Sequence, residues 1–355
     1  MTDVFSIIEN EKPIGLLSAL ILSENIPHAL LFTGKKGVGK KDGAYYFAQA
    51  LNCEHKTVSD MGGKPGWGGE SRSAAAVWEK RINPCGSCRH CRKIAAGNHP
   101  DVLYREPTGT KINPYIGIEA VRELISTFSM RPFEAPFRVA IIHEADKMNA
   151  EAANSLLKLL EEPPDKSILV LTANDSADLL PTILSRCQTI RFNPLSIDAI
   201  KSYLINEKRM DPRDAEIPSR LAFGSISRAL QLSEEEVSDR RNILLKELGD
   251  LPEGGVVSAL RFAEKLALDK IHLDENFFLM ELWFRDAVMA KHTDMALIQS
   301  DFEVLIRKKT QKIFLEGLVS AFEQVALTRK RIKQNANLRL NIEILMIGIQ
   351  KALNL

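Results

Sequence analysis

The sequence predicts an α/β domain, a buried parallel sheet carrying a phosphate-binding loop, followed by an all-helical half. Three observations carry this expectation. The segment Gly34-Lys35-Lys36-Gly37-Val38-Gly39-Lys40-Lys41 lies between an apolar run, His28 to Thr33, and a stretch in which Ala44, Phe47, Ala48 and Leu51 recur at helical spacing. Further apolar runs, Val139 to Ile142 and Ile168 to Leu171, end in polar residues, as buried parallel strands do at the edge where such sheets bind ligands. From Glu253 to Leu355 there is no proline, and apolar residues recur periodically over Phe277 to Val288 and Leu338 to Leu353.

The glycine-rich segment matches a phosphate cradle up to its last residue. In that motif Gly34, Gly37 and Gly39 let backbone N–H groups close on phosphate, Lys40 reaches the outer phosphate oxygens, and a final Ser or Thr hydroxyl ligates Mg²⁺. Lys41 occupies that last position and cannot ligate the metal. The run Arg138-Val-Ala-Ile-Ile-His143-Glu144-Ala-Asp146 belongs where a second acidic strand end would hold Mg²⁺ and polarise the attacking water. Its first polar residue is His143, and imidazole is a poor ligand for a hard cation that prefers oxygen. Glu144 remains, as a degenerate catalytic position. The joint loss predicts no intrinsic ATPase and little affinity for Mg·ATP, although Lys40 could still hold phosphate without metal.

Composition bounds the remaining possibilities. The chain has 355 residues, 45% hydrophobic and 26% charged, enough for two or three ordinary globular domains. A net charge of +1 gives no global attraction to nucleic acid, so any DNA contact must be local. No long uncharged apolar run and no basic, apolar leader is present, which points to the cytoplasm.

Three of the five cysteines form Cys85-Gly-Ser-Cys88-Arg-His-Cys91, and in a cytosolic chain this double C-x-x-C reads as a metal site, with structural zinc expected. An iron–sulfur run would place another cysteine soon after Cys91 with proline behind it, where Ala95 and Ala96 stand. The fourth ligand is open among Cys53, His90 and His99. Cys53 fits if the intervening stretch is an excursion, and Lys56 to Pro84, with Gly62, Gly63, Gly66, Gly68, Gly69 and Pro65, has that composition.

The other elements follow in order. Asp101 to Tyr104 is a short strand candidate, and Val121, Leu124, Ile125 and Phe128 place a helix over Ile118 to Phe128. Asn149 to Glu162 reads as a helix burying Leu156, Leu157, Leu159 and Leu160 and stopped by Pro163-Pro164. Ser167 to Asn174 reads as a strand, followed by Ser185-Arg186-Cys187, and Asp198 to Ile205 as a capped amphipathic helix.

This order of features resembles the clamp-loader branch of the AAA+ ATPases. The resemblance rests on the loop at 34–41, on Cys53 with the Cys85/Cys88/Cys91 triplet, and on His143-Glu-Ala-Asp146. It rests also on Leu157-Lys-Leu-Leu-Glu-Glu-Pro-Pro164, Ser185-Arg186-Cys187 and Gly224-Ser-Ile-Ser-Arg228. It is dense from about residue 5 to 235 and only a helical pattern beyond. It implies an AAA+ RecA-like P-loop domain over 1–195 with a zinc module inserted at about 53–105, a helical lid over 196–238, and an all-α collar over 239–355 that joins subunits in a ring.

What the resemblance implies for the site is specific. Cys53 becomes the fourth zinc ligand, Asn174 and Arg228 take the two sensor positions that read a γ-phosphate, and Arg186 becomes an arginine finger reaching a neighbour's ATP. The implied role is a non-motor subunit of the DNA polymerase III holoenzyme, a nucleotidyltransferase, that helps load the sliding clamp onto primer–template DNA. The alternative is an active motor of the gamma/tau type. Implied partners are gamma/tau- and delta-type subunits, the clamp, and DNA through backbone contacts. For DNA the best local candidate is Thr108 to Glu123, where Gly117 and Ile118 precede a helix carrying Arg122. The basic stretch Arg329-Lys-Arg-Ile-Lys333 reads as a solvated helix face.

Overall fold

The apolar runs become strands covered on both sides. Ala29–Thr33, Arg138–Ile142 and Ser167–Ala173 are buried at every residue, the signature of parallel strands with helices on both faces. A computed structural model describes residues 10–60, 80–109, 114–293, 295–334 and 336–354, without the Lys333 side chain. The glycines of the expected excursion, 62–69, lie outside the described residues.

In chain order, α1 (Glu11–Leu22) precedes β1 (Ala29–Thr33) and α2 (Lys40–Asn52). A hairpin, β2 (Thr57–Asp60) and β3 (Lys80–Asn83), leads to α3 (Arg89–Ala95) and β4 (Val102–Arg105). Two-residue strands β5 (Thr108–Gly109) and β6 (Pro114–Tyr115) precede α4 (Ile118–Phe128), β7 (Arg138–Ile142), α5 (Ala150–Glu161), β8 (Ser167–Ala173), α6 (Pro181–Leu184) and β9 (Gln188–Arg191). The helical remainder is α7 (Ile197–Asn206), α8 (Glu216–Leu221), α9 (Ile226–Leu232), α10 (Glu235–Leu268), α11 (Leu273–His292), α12 (Glu303–Thr310), α13 (Leu315–Lys333) and α14 (Leu338–Leu353).

The chain divides into two compact units, Met1–Ile200 with Gly224–Ser227, and Lys201–Phe223 with Arg228–Leu355. In the first, a parallel sheet runs in the order β4-β7-β8-β1-β9. Alternation along the strands sorts two cores. Leu30, Phe32, Val139, Ile141, Ile168 and Val170 meet α1 and α2 through Ile14, Leu17 and Phe47. Leu31, Ala140, Ile142, Leu169 and Leu171 meet α4 and α5 through Val121, Leu124, Phe128, Leu156 and Leu160. Leu157, expected inside, is half-buried at the margin of this second core. In the second unit Trp283 and Phe284 of α11 pack with Leu248, Phe262, Ile342 and Met346 from α10 and α14. The long α10 is broken at Gly255, whose φ of 66° is left-handed.

Asp101, expected as strand, instead serves as an anchor just before β4. Its fully buried carboxylate accepts from the backbone N–H groups of Phe133 (2.7 Å), Glu134 (2.8 Å) and Ala135 (2.9 Å) and from Arg138 Nη2 (2.8 Å). Arg138 also donates to the carbonyls of Thr127 (2.6 Å) and Met130 (2.9 Å), tying the end of α4 to the start of β7. Burial alone would raise the Asp101 pKa, but the N–H donors of Glu134 and Phe133, Arg138 and the Ala135 N–H outweigh it and hold the group at about 2. Because the folded pKa is depressed, this stabilisation is present above the unfolded value near 3.9 and is lost as pH falls through it toward 2; the shift corresponds to roughly 2 kcal/mol. Asp101→Asn should therefore lower unfolding stability by at least about 2 kcal/mol at pH 7, with the gap to wild type closing toward pH 2 in urea titrations.

Candidate nucleotide and metal sites

The loop between β1 and α2 has the backbone its glycines permit. Gly34, Gly37 and Gly39 have φ of 146°, 79° and 95°, conformations that side chains rarely adopt. A Cβ on Gly34 would lie 2.3 Å from the Phe192 carbonyl oxygen, whereas one on Gly39 would meet nothing within 4 Å. Gly39 is the N-cap of α2 and, having no side chain, offers the first turn no cap. Gly37 is covered by the segment 224–227, with the Ile226 N–H donating to its carbonyl at 3.0 Å.

Lys40 folds back into the loop. Its ammonium donates to the carbonyls of Gly34 and Lys35 (2.8 Å to the latter) and to Asn174 Oδ1 at 3.3 Å. Burial lowers its pKa to about 8 against the opposing pull of Asp146 and Glu144. Asn174 also donates to Asp146 Oδ2 at 3.4 Å, so its side chain links Lys40 to the turn after β7. Glu144 is held in a left-handed conformation (φ 51°), with its N–H on Thr172 Oγ1 at 3.0 Å and its carboxylate paired with Lys36 at 3.0 Å.

At the two metal positions the side chains face elsewhere. Lys41 reaches Glu106 at 3.3 Å and lies 4.4 Å from the centre of the Tyr104 ring. Tyr104 donates to Glu106 at 2.6 Å and stacks on His143 with ring centres 6.4 Å apart. His143 Nδ1 is 2.9 Å from Thr172 Oγ1, and burial holds the imidazole below its ordinary pKa. Hydrogen bonding from Tyr104 is the main cause that lowers the Glu106 pKa. Neither Lys41 nor His143 offers an oxygen, so these two positions do not fit Mg²⁺. Lys36, Tyr104, Glu106 and Thr172 were not singled out from the sequence. The available signal was their place at or beside the C-terminal ends of predicted strands, where polar residues gather.

The cysteine cluster forms as spacing suggests. The Sγ atoms of Cys53, Cys85, Cys88 and Cys91 all lie within 4.8 Å of one another; tetrahedral coordination with bonds of about 2.3 Å needs sulfur separations of about 3.8 Å. Cys53 follows the last residue of α2, and Cys88 caps α3. Backbone N–H groups of Cys85, Cys88 and Cys91 point at the sulfurs of Cys53, Cys85 and Cys88 at 3.3, 3.2 and 3.4 Å. The Cys88 N–H, followed by the Ser87 hydroxyl and N–H, brings the Cys85 thiol to about 6, while burial pushes Cys53 and Cys91 up. Four converging thiols can hold a metal ion. The histidines left open as fourth ligands bond to each other instead. The Asp101 N–H donates to His99 Nδ1 at 3.0 Å, which leaves the His99 proton on Nε2, 2.8 Å from His90 Nδ1. A nitrogen carrying that proton has no lone pair for a metal.

Arg186 lies just before β9, which runs parallel to β1 from Gln188, paired with Leu30. It therefore sits at the N-terminal edge of the sheet, whereas the glycine loop leaves β1 at the C-terminal edge, about 15 Å of strand away. Its guanidinium is part-exposed and bonds Glu161 Oε1 at 2.8 Å and the Thr182 carbonyl at 3.0 Å. Arg228 belongs to the second unit and lies over the Phe278 ring, 3.5 Å from its centre. Gly117 caps α4, and Arg122 on that helix is exposed; residues 110–113 of the DNA candidate segment lie outside the described residues. Arg329, in the basic stretch, is paired with Asp274 and Glu281 at 2.8 and 3.0 Å. Among the described residues, no helix is long and apolar enough to cross a membrane.

Residues 9–64 and 71–196 match the model of a family described as DNA polymerase III, delta subunit. The delta' subunit of DNA polymerase III from Bacillus subtilis is 30% identical over 342 residues, covering 95% of this chain and 94% of that protein. The tau subunit from the same organism is 28% identical over 255 residues, 70% of this chain and 40% of its own length. A gamma subunit-related protein from Thermotoga maritima aligns with a TM-score of 0.45 at 16% identity, over 95% of this chain and 99% of that one. The parallel sheet, the glycine loop and these relatives define a P-loop protein of the clamp-loader class. Within that class, the chain belongs to the DNA polymerase III delta-prime subunit family.

Purified protein should carry one tightly bound metal ion per chain. Cys91→Ser should lose it and unfold at lower temperature, and a strong chelator should reproduce that loss in wild type but add nothing to the variant. Metal analysis with thermal melts checks both outcomes.

Proposed function

We propose that this chain is a non-motor subunit of the DNA polymerase III clamp loader. In this reading it works in the cytoplasm beside gamma/tau- and delta-type subunits and helps place the sliding clamp on primer–template DNA. The chain contributes Arg186 to a nucleotide held by a neighbour. A planar, permanently charged guanidinium neutralises charge developing on the transferred phosphoryl group, an effect worth about 10³-fold or more in other phosphoryl transfers. The observation that carries the proposal is the placement of Arg186 at the sheet edge opposite its own glycine loop. An arginine there cannot serve its own loop, and its exposed pairing with Glu161 is weak enough to exchange for a phosphate.

The rest of the reading follows from chemistry already described. With Lys41 and His143 at the metal positions, Glu144 has no activated water to polarise, which supports a subunit without its own hydrolysis. Asn174 and Arg228 keep the sensor positions without that reaction. Zinc suits the four thiols, and a closed four-sulfur shell makes it structural. DNA contacts are assigned to the N-terminus of α4 with Arg122, reading backbone and not sequence. The helices from α10 onward serve as the collar.

The isolated chain should release no phosphate from ATP. In a reconstituted complex, Arg186→Ala should lower DNA-stimulated ATPase by about tenfold or more while leaving this subunit's unfolding midpoint in place, since the exposed pair contributes under about 1 kcal/mol. Unchanged ATPase in the complex would remove the finger role.

A further inference from the structure

We propose that Arg228, which the reading above leaves at a sensor position, serves as a fastening residue: its guanidinium and the Phe223 ring grip Phe278 of α11 from two sides and hold the short helices α8 and α9 to that helix. The inference goes beyond the non-motor reading and does not depend on it. Every residue that makes the grip lies in the second unit.

The first support is the contact itself. The Arg228 guanidinium carbon lies 3.5 Å from the centre of the Phe278 ring, close enough for direct contact with the ring face. Phe223 meets the same ring edge-on, with centres 5.6 Å apart and planes at 89°. Phe278 is packed against Leu221 of α8, Leu232 of α9 and Leu282 of α11, so a residue that holds this ring holds the junction of three helices.

The second support is charge. Burial lowers the Arg228 pKa; Glu275 opposes that fall, Arg329 adds to it, and Asp274 opposes it. Both carboxylates that favour the cation thus come from α11, the helix it lies on. A guanidinium leaving for a phosphate would give up the ring and both of these charges.

The third is backbone strain. Phe223 has a φ of 49°, a left-handed conformation that a bulky aromatic residue rarely adopts. Such a conformation persists where surrounding contacts over-determine it, and the edge-on contact with Phe278 is one of them. Gly224 follows with a φ of 87°, and a Cβ there would lie 2.4 Å from that of Pro194. The chain leaves the ring at Phe223 and returns to it at Arg228, with the segment 224–227 between them pinned by the bond from the Leu195 N–H to the Gly224 carbonyl at 3.1 Å.

Hydrogen exchange of the full chain, followed by mass spectrometry without nucleotide and with ATP, tests this. Arg228→Ala and Phe278→Leu should each speed exchange in α9 by about fivefold or more, and combining them should add less than about twofold to either. Arg228→Lys, which keeps the charge but not the planar fork, should fall between wild type and Arg228→Ala. Unchanged α9 exchange in Arg228→Ala without nucleotide, or effects that multiply in the double variant, overturns the proposal. An effect of Arg228→Ala that appears only with ATP also overturns it, in favour of a sensor. Should Phe278→Leu unfold, the two Arg228 variants still decide. The result is separable from the Arg186 test, which reads the hydrolysis of a neighbour's nucleotide.

Discussion

Five strands pointing the same way, buried on both faces, constrain everything else in the first unit. A parallel sheet sends every strand's C-terminal end to one edge and every N-terminal end to the other, with a crossover between each pair. That rule gathers the glycine loop after β1, His143 and Glu144 after β7, Asn174 after β8 and Glu106 after β4 at a single edge. The same rule sends Arg186 to the opposite edge. Asp101 and Arg138 secure the N-terminal side, where three backbone N–H groups and a buried ion pair fix the turn into β7.

At the nucleotide edge, the chemistry is that of a P-loop whose metal positions hold nitrogen and not oxygen. Lys41 and His143 do more than fail to ligate Mg²⁺. They join Tyr104, Glu106 and Thr172 in a hydrogen-bonded and stacked group that fills their surroundings. The cradle itself is intact, with its glycines in the required backbone conformations and Lys40 in place.

The cysteine cluster is a second device, local and independent of the sheet's edges. Cys53 follows α2, while Cys85 and Cys88 lie in the turn into α3 and Cys91 in its first turn, so a metal held there would tie the hairpin region to the sheet domain. His90 and His99 stiffen the same region by their mutual hydrogen bond and the Asp101 N–H.

By itself the sequence determined the elements and the motif residues, because hydrophobic period and glycine spacing are local properties. The strand at Arg138, the helix over Ile118–Phe128, the glycine loop and the double C-x-x-C were all legible in that way. It also marked Lys41 and His143 as departures, since a missing hydroxyl or carboxylate is visible in one letter. What it left open depended on which distant residues meet. That the Cys53 sulfur joins those of Cys85, Cys88 and Cys91, with His90 and His99 in a separate pair, depended on the packing of α2 against α3. The partners of Lys41 and Glu144, at Glu106 and Lys36, required the strand order. Leu157 sits at the core margin beside the buried Leu156, Leu159 and Leu160. Arg186 shows the division most sharply. The sequence could name it from its motif, but only the parallel direction of β9 against β1 placed it out of reach of its own loop, because strand direction is set by long-range pairing and not by neighbouring residues.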